Sequence, residues 1–369
     1  ASSFSPNHSG WGGRPMPSTI ASDREIDALV GVLGDAGRGV FMMATGSRVT
    51  PEIMEGFAAR TRRPMFISTV LTMYNPAFPE RALNYYDRCL AALARGREVY
   101  IQASCQPLCF DFSLRDPYLL YSHDAFERVK SDGGTALEAI YADPAFRAAF
   151  RANLANPKTG ILFYGHWGQV EVGATEHVAA RTLEGRTITA IAAERGIDPL
   201  DAFFDVALEA GLDTVFVAKL FQAIDDGVEP LLKHRAGVVT LSDAGAHLKF
   251  MCDAGFGLHF LGHWVRERAA FTLAEGVRRL TSDPALKYRI PERGQIRRGY
   301  WADVVLFDPA TVGISETERV SDFPGGTSRM IRRAKGIHGV WVNGVKVHDG
   351  REYVAHLRGP GRVLDHFAS

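Results

Sequence analysis

A chain of 369 residues and 40.4 kDa is long enough for one large domain, or for one domain with a small appendage. Hydrophobic residues make up 46% and charged residues 23%, and Lys plus Arg balances Asp plus Glu at 42 each. That ordinary globular balance argues against a nucleic-acid-binding or anionic-membrane surface. The four cysteines, Cys89, Cys105, Cys109 and Cys252, are few for the length and read as reduced thiols. No apolar stretch approaches a membrane span and no charged-then-apolar leader opens the sequence. The expectation is a cytoplasmic protein with neither nucleic acid nor membrane as partner.

The opening ASSFSPNHSGWGGRPMPST is rich in Gly, Pro, Ser and Asn and reads as a strand passing into a loop. Phe4, His8 and Trp11 on that loop are candidates to contact a ligand. Ser22-Asp23 with Glu25 is a helix-capping signal, and Ile26, Leu29, Val30 and Leu33 give that helix its apolar face. A strand follows at Gly39–Met43, a helix from Thr50-Pro51 to Ala59, a strand at Pro64–Ser68, a helix at Asn84–Ala94 and a strand at Glu98–Gln102. Helix alternating with strand through short connections predicts parallel pairing. An aromatic and charged insertion occupies about 107–156, with helices near His123–Val129, Leu137–Tyr141 and Ala145–Leu154. Strands are expected at Gly160–Tyr164, Thr214–Ala218 and Val238–Leu241, and helices at Thr187–Arg195, Pro199–Leu208, Ile224–His234, Gly255–Arg268 and Leu273–Leu280. From about Ile296 the texture turns to short strands and glycine turns, with a β-hairpin about Asn343-Gly344.

The stretch VVTLSDAGAH, Val238 to His247, ends an apolar strand in a carboxylate, small residues and a histidine. Asp243 therefore falls where a parallel strand passes to its loop, the position of catalytic residues in an α/β barrel. An isolated strand-end Asp is more often a helix cap, so its neighbours decide. His166 lies between two glycines in Tyr164-Gly165-His166-Trp167-Gly168, where the backbone can approach a ligand closely. His247 is a candidate to hold substrate or orient Asp243. Arg48 and Lys249 are candidates for a substrate carboxylate. Lys219 reads as a solvated lysine, and His259 and His263 as core or interface histidines.

LSDAGAHLKFMCDAGFGLHFLGHWVRE, then LTSDPALKYRIPERGQIRRGYWADVVLFDPATV and HGVWVNGVKVHDG, resemble the C-terminal portion of the amidohydrolase superfamily, in the branch of N-acyl-D-amino-acid deacylases. The opening SSFSPNH resembles a segment well inside that family's barrel. The resemblance implies part of a metal-dependent (β/α)₈ barrel over 1–295 and a small β-sandwich portion over 296–369. About four or five βα units are visible, too few to close a barrel of about 250 residues. An N-terminal segment of the same enzyme, as a separate chain or cleaved fragment, is therefore expected to supply the rest and the family's HxH ligand pair. An oligomer is the expected assembly.

The resemblance places Asp243 at the family's strand-eight ligand. Where fifth- and sixth-strand histidines are usual, this sequence reads Val40–Thr45 and Phe66–Val70 without one. That departure implies one divalent ion, zinc, in place of a binuclear centre, with Asp243 and His166 as its ligands here. Such an ion lowers the pKa of its water to about 7. Asp243, as general base and acid, would pass a proton to the departing nitrogen of an amide. The expected activity is hydrolysis of the C–N bond in a small N-acylated substrate, with His247, His8, Trp11 and Arg48 binding it. Two alternatives stay open: a non-catalytic binding or scaffold protein, and a deaminase or cyclic amidase of the same superfamily.

Overall fold

The computed structural model describes residues 2–3, 16–46, 48–68, 70–131, 136–158, 161–173, 178, 181–242, 244, 254–365 and 367. Strand and helix alternate at first: β1 (Ser2–Ser3), α1 (Pro17–Ile20), α2 (Asp23–Ala36), β2 (Phe41–Ala44), α3 (Pro51–Thr61), β3 (Met65–Ser68), α4 (Pro79–Ala94) and β4 (Val99–Ala103). The Ser22 hydroxyl accepts from the Glu25 amide at 3.2 Å, and Gly37 ends α2 in the left-handed conformation. Pro51 opens α3 at a position where its missing N–H costs nothing, with Thr50 as cap.

After β4 the chain leaves this layer. It runs through β5 (Leu108–Phe112), α5 (Glu127–Ser131), α6 (Leu137–Ala142), α7 (Pro144–Ala155), β6 (Val170–Val172), α8 (Ile188–Arg195), α9 (Pro199–Glu209) and β7 (Phe216–Phe221). It returns by α10 (Asp225–Lys233) to β8 (Gly237–Val239). There follow α11 (Phe256–His259), a π-helical run over Phe260–Glu267, α12 (Leu273–Leu280) and α13 (Ser282–Lys287). Short strands close the chain: β9 (Val304–Phe307), β10 (Gly313–Ile314), β11 (Glu318–Val320), β12 (Arg329–Ile331), β13 (Ala334–Lys335), β14 (Ile337–Val342) and β15 (Val345–His348).

The main sheet has the order β1-β2-β3-β4-β8, all parallel, with Phe41 beside Met65, Met65 beside Val99 and Ile101 beside Gly237. Every residue of β3 is buried, as expected of a parallel strand covered on both faces. One face carries Met43, Met65, Ile67, Val99 and Ile101 against α2, α3 and α4 through Val30, Met54, Phe57, Tyr86 and Cys89. On the other face Phe66 stacks on Tyr288 at 4.1 Å, and the Gln102 amide donates to the Tyr288 hydroxyl at 2.6 Å. The chain just past α13 therefore covers the inner face of the sheet.

The stretch between β4 and β8 packs about a second core, rich in phenylalanine. Its three strands are antiparallel in the order β5-β7-β6. The strand read at Thr214–Ala218 is β7, starting at Phe216; it pairs with β5 and β6 and is no member of the parallel sheet. At 161–164, read as a strand, the backbone is irregular, although Ile161 and Phe163 are buried as alternate strand residues would be. Burial of alternate side chains, with Phe163 edge-on to Trp167 at 4.9 Å, is enough to write that pattern. The C-terminal part is β-rich as expected, in three small antiparallel sheets: β15-β14-β9, β10-β13 and β11-β12. Asn343 and Gly344 both take positive φ in the hairpin turn between β14 and β15, as a tight two-residue turn requires. No helix among the described residues is long and apolar enough to cross a membrane.

Candidate active site

The C-terminal ends of the parallel strands meet in a buried polar layer. Thr45 follows β2, Ser68 ends β3 and Ser104 follows β4, and all three are buried. The Thr45 amide donates to the Ser68 carbonyl at 3.0 Å, and the Ser68 hydroxyl lies 3.2 Å from the Met42 sulfur. The two strand ends that lack histidine thus offer a thioether and hydroxyls, poor substitutes for imidazole on zinc.

Ser104 is the hub of this layer. Its hydroxyl donates to the Gln106 carbonyl at 3.0 Å, and its carbonyl accepts from the Gln222 amide at 2.6 Å. Gln222, directly after β7 and in the left-handed conformation, also accepts from the Tyr74 amide at 2.7 Å. Trp264 of the π-helical run donates its indole N–H to the Cys105 carbonyl at 2.6 Å, and Arg332 reaches Gln106 at 3.1 Å. The end of β4 is therefore tied to the inserted layer, to the helix after β8 and to the C-terminal strands. Sequence reasoning missed Ser104, Gln106 and Gln222; no motif marks them, and only their burial as polar groups gives them away.

Asp243, His247, His8, Trp11 and Lys249 lie outside the described residues. The neighbours of Asp243 are described: Thr240, Leu241 and Ser242 continue past the end of β8, and the Ser242 hydroxyl accepts from the Ala244 amide at 3.1 Å.

His166 lies outside the parallel sheet, in the inserted layer. Gly165 before it takes φ +79°, and His166 caps a short 3₁₀ turn at Trp167–Gln169. Its Nε2 is buried without a hydrogen-bond partner, and burial pushes its pKa below the ordinary value. It lines a small cavity with Tyr164, Gln169 and Lys219, beside the loop after β3, where Tyr164 meets Phe78 edge-on at 5.3 Å. A neutral imidazole with an orphaned nitrogen is chemically suited to one ligand bond. Lys219 lies within β7, and its ammonium pairs with Glu171 at 2.5 Å. Among the described residues, no group of three or more His, Cys, Asp or Glu side chains is arranged to hold a metal ion. The described residues therefore do not fit a divalent ion by themselves.

Arg48 lies beyond β2, where its guanidinium pairs with Asp23 and donates to the Ala21 carbonyl. A carboxylate already occupies its fork. It borders a cavity of about 300 Å³ with Met43, Ile53 and Phe57. His259 and His263 stack at 5.1 Å, and His263 bridges Asp225 at 2.8 Å and Glu267 at 3.3 Å. Burial first, then the neighbouring His263 and Arg332 charges, pushes the His259 pKa down to about 4. Both rings are half-buried, and His263, one turn after His259 at the end of α11, ties the π-helical run to α10.

A sequence profile of the amidohydrolase family matches residues 139–348, a span that includes Asp243. The chain is 31% identical over 189 residues to an N-acyl-D-aspartate deacylase of Alcaligenes xylosoxydans xylosoxydans, covering 49% of this chain and 33% of that protein. It is 27% identical over 375 residues to an uncharacterised protein of Mycobacterium tuberculosis, covering 94% of this chain and 58% of that one. A D-aminoacylase structure, reported for the functional role of its binuclear metal centre with one-metal activation and second-metal attenuation, superposes with a TM-score of 0.52. That match is 22% identical and covers 92% of this chain and 59% of the other, so it carries the fold alone. The chain spans at most about three fifths of the length of these relatives. With the profile matched across more than half of its length, the chain belongs to the amidohydrolase family.

Proposed function

We propose that this protein forms part of a hydrolase that cleaves the amide C–N bond of an N-acyl-D-amino acid. The observation that carries this reading is the family match running through Asp243, which follows β8 at the C-terminal end of a parallel sheet. Residues 1–295 serve as the C-terminal part of a (β/α)₈ barrel and 296–369 as its β-sandwich portion. Asp243 takes the proton of the attacking water and passes it to the leaving amine, which would otherwise depart as an unstable amide anion. The layer about Ser104, Gln106 and Gln222 holds the surrounding strand ends in place.

A divalent ion, one zinc, is part of the proposal, with Asp243 and His166 as ligands. An N-terminal segment of the same enzyme, joined or separate, contributes an HxH pair, and the working form is an oligomer in the cytoplasm. The absence of HxH from this sequence supports that division. His247, His8, Trp11 and Arg48 bind the substrate, and Arg48 would exchange Asp23 for the substrate's carboxylate. Such an exchange replaces a pairing through one guanidinium nitrogen, the other nitrogen being bonded to the Ala21 carbonyl, by a bidentate one.

The rival reading, a non-catalytic binding or scaffold protein, is favoured by the thioether and hydroxyls at Met42 and Ser68 where imidazoles are usual. A panel of N-acyl-D- and N-acyl-L-amino acids, assayed for released amine alongside metal analysis of the purified protein, separates the two. Turnover of D-substrates that vanishes in Asp243→Asn supports the hydrolase. A folded complete assembly, with the N-terminal segment present, that shows no turnover and holds substoichiometric metal supports the scaffold. Ring opening or ammonia release in the same screen would move the reaction to a cyclic amidase or deaminase.

A further inference from the structure

We propose a second, non-catalytic site for a small polyanion of phosphate type at the opposite end of the parallel sheet, in the cationic cavity between the turns that enter β4 and β8. The cavity measures about 450 Å³, within the range of small-molecule sites, and a single phosphate would not fill it. Arg97 lies in the turn from α4 into β4, and Arg235 in the turn from α10 into β8. Arg278, Arg279 and Lys287 face them from α12 and α13. Two carboxylates, Glu98 and Asp283, share the lining, so its formal charge is five positive against two negative, a net +3.

Both carboxylates are already engaged. Glu98 pairs with Arg289, outside the lining, and Asp283 holds Lys287 at 3.0 Å with Arg278 at 3.8 Å. Glu55, near Arg97, is held on both oxygens by Arg95. Arg97 and Arg235 form no ion pair among the described residues, and both are exposed to the cavity and solvent. Arg279 donates to the Lys233 carbonyl at 2.8 Å and to the His234 carbonyl at 3.5 Å, capping α10. Its Nε is buried without a partner, an orphaned cationic donor in the wall. Burial disfavours the charged forms of Arg279 and Lys287, and an anion in the cavity would restore their stability.

The site lies at the N-terminal ends of the strands, whereas Asp243 follows the C-terminal end of β8. Binding there is independent of turnover and acts by tying α12 and α13 to the turns that set β4 and β8 beside each other. The guanidinium forks suit phosphate oxygens bidentately.

Titration calorimetry and thermal melting of the purified protein, at matched ionic strength, test this with pyrophosphate, ribose 5-phosphate and chloride. The expected result is saturable binding and a raised melting temperature with at least one phosphate compound and none with chloride; the stronger of the two distinguishes an inorganic from an organic phosphate. Arg97→Gln with Arg235→Gln should weaken that binding by at least about tenfold and leave the melting temperature in chloride unchanged. The control pair Arg38→Gln with Arg358→Gln removes the same charge from exposed positions elsewhere and should leave affinity unaltered. Absence of saturable binding in the unsubstituted protein, unchanged affinity in the cavity pair, or equal weakening in both pairs would each overturn the proposal.

Discussion

The parallel sheet and the inserted layer solve the same burial problem with different side chains. Under the sheet, successive βα units lay down Met43, Met54, Met65, Ile67, Val99 and Ile101, and Phe57, Tyr86, Phe260, Trp264 and Phe271 pack in the same core. In the inserted layer it is aromatic: Phe203 lies 4.6 Å from Phe216 and 5.3 Å from Phe204, and Phe126 meets Phe150 edge-on at 5.0 Å. Parallel strands obtain their order from repeated short crossovers, and their covered face is filled here by methionine, valine and isoleucine. The short strands β5 and β7 pair across more than a hundred intervening residues, and interlocking rings supply the specificity that local connections do not. The polar groups divide as well. Buried Thr45, Ser68, Ser104 and Gln106 cluster at the strand ends of the sheet, while the inserted layer buries His123, Thr214 and, at its junction with the sheet, Gln222. Buried polar side chains thus concentrate at the strand ends of the first region, and interlocking rings dominate the second.

The sharpest break between the two is Asp243→Asn against Phe203→Ala. Under the proposed role, loss of a proton-transferring carboxylate should lower kcat by roughly 10²–10⁴-fold, with the melting temperature held within about a degree because Asp→Asn keeps the side chain's size and shape. Phe203→Ala should do the reverse. It removes a fully buried ring that touches Phe112, Trp167, Phe204 and Phe216, at a cost of about 3–5 kcal/mol. Denaturant titration and steady-state kinetics on both variants measure this. Equal loss of stability in the two would dissolve the division of labour.

A smaller effect is expected where the regions meet. Gln222→Leu leaves the Ser104 carbonyl and the Tyr74 amide without their side-chain partners, at a cost of about 1–3 kcal/mol. Hydrogen exchange should rise at the end of β4 and not within α9. Exchange spreading evenly through both layers would show that Gln222 is ordinary packing and not the tie between them.

How far the sequence foretells all this varies with the range of the signal. The Ser22–Glu25 cap, the Thr50-Pro51 start and the Asn343-Gly344 turn are local chemistry and stand in the structure as read. The parallel pairing of β2, β3 and β4 follows from alternation with short loops. The antiparallel partners of β7 leave no local trace, since VFVAKLF alternates in the same way whichever direction its neighbours run. The helix read across Gly255–Arg268 holds a π-helical run from Phe260, because apolar spacing does not register one additional residue per turn. Within the proposed site, the sequence reading of Asp243 rests on its place after a strand and that of His166 on its flanking glycines; Asp243 lies outside the described residues, and His166 stands in the inserted layer away from the parallel sheet. Ser104 and Gln222 were not legible, because a polar residue that works by being buried looks like any surface residue until its partners, distant in sequence, are known.

The smallest expected effect is a pH dependence that each region carries through its own imidazole. His123 is buried in the inserted layer, with Nε2 3.0 Å from the Phe163 carbonyl and its ring edge-on to Phe150. Burial is the largest influence on it and pushes its pKa from 6.5 down to about 4. His259 beside the π-helical run is pushed to about 4 as well, again chiefly by burial. The unfolded chain therefore binds a proton between about pH 6.5 and 4 that the folded chain refuses, and stability rises with pH wherever the unfolded state binds more protons. The contribution is fully present above pH 6.5, is lost as the pH falls toward 4, and does not change further below that. For His123 the loss by pH 5 is on the order of 1–2 kcal/mol. His123→Gln keeps a donor for the Phe163 carbonyl and removes the titrating ring. Amide exchange near Phe150 should then lose its acid sensitivity between pH 7 and 5, while exchange near Phe260 keeps it because His259 is untouched. If both segments flatten together, the two cores open as one unit and their separate construction has no thermodynamic counterpart.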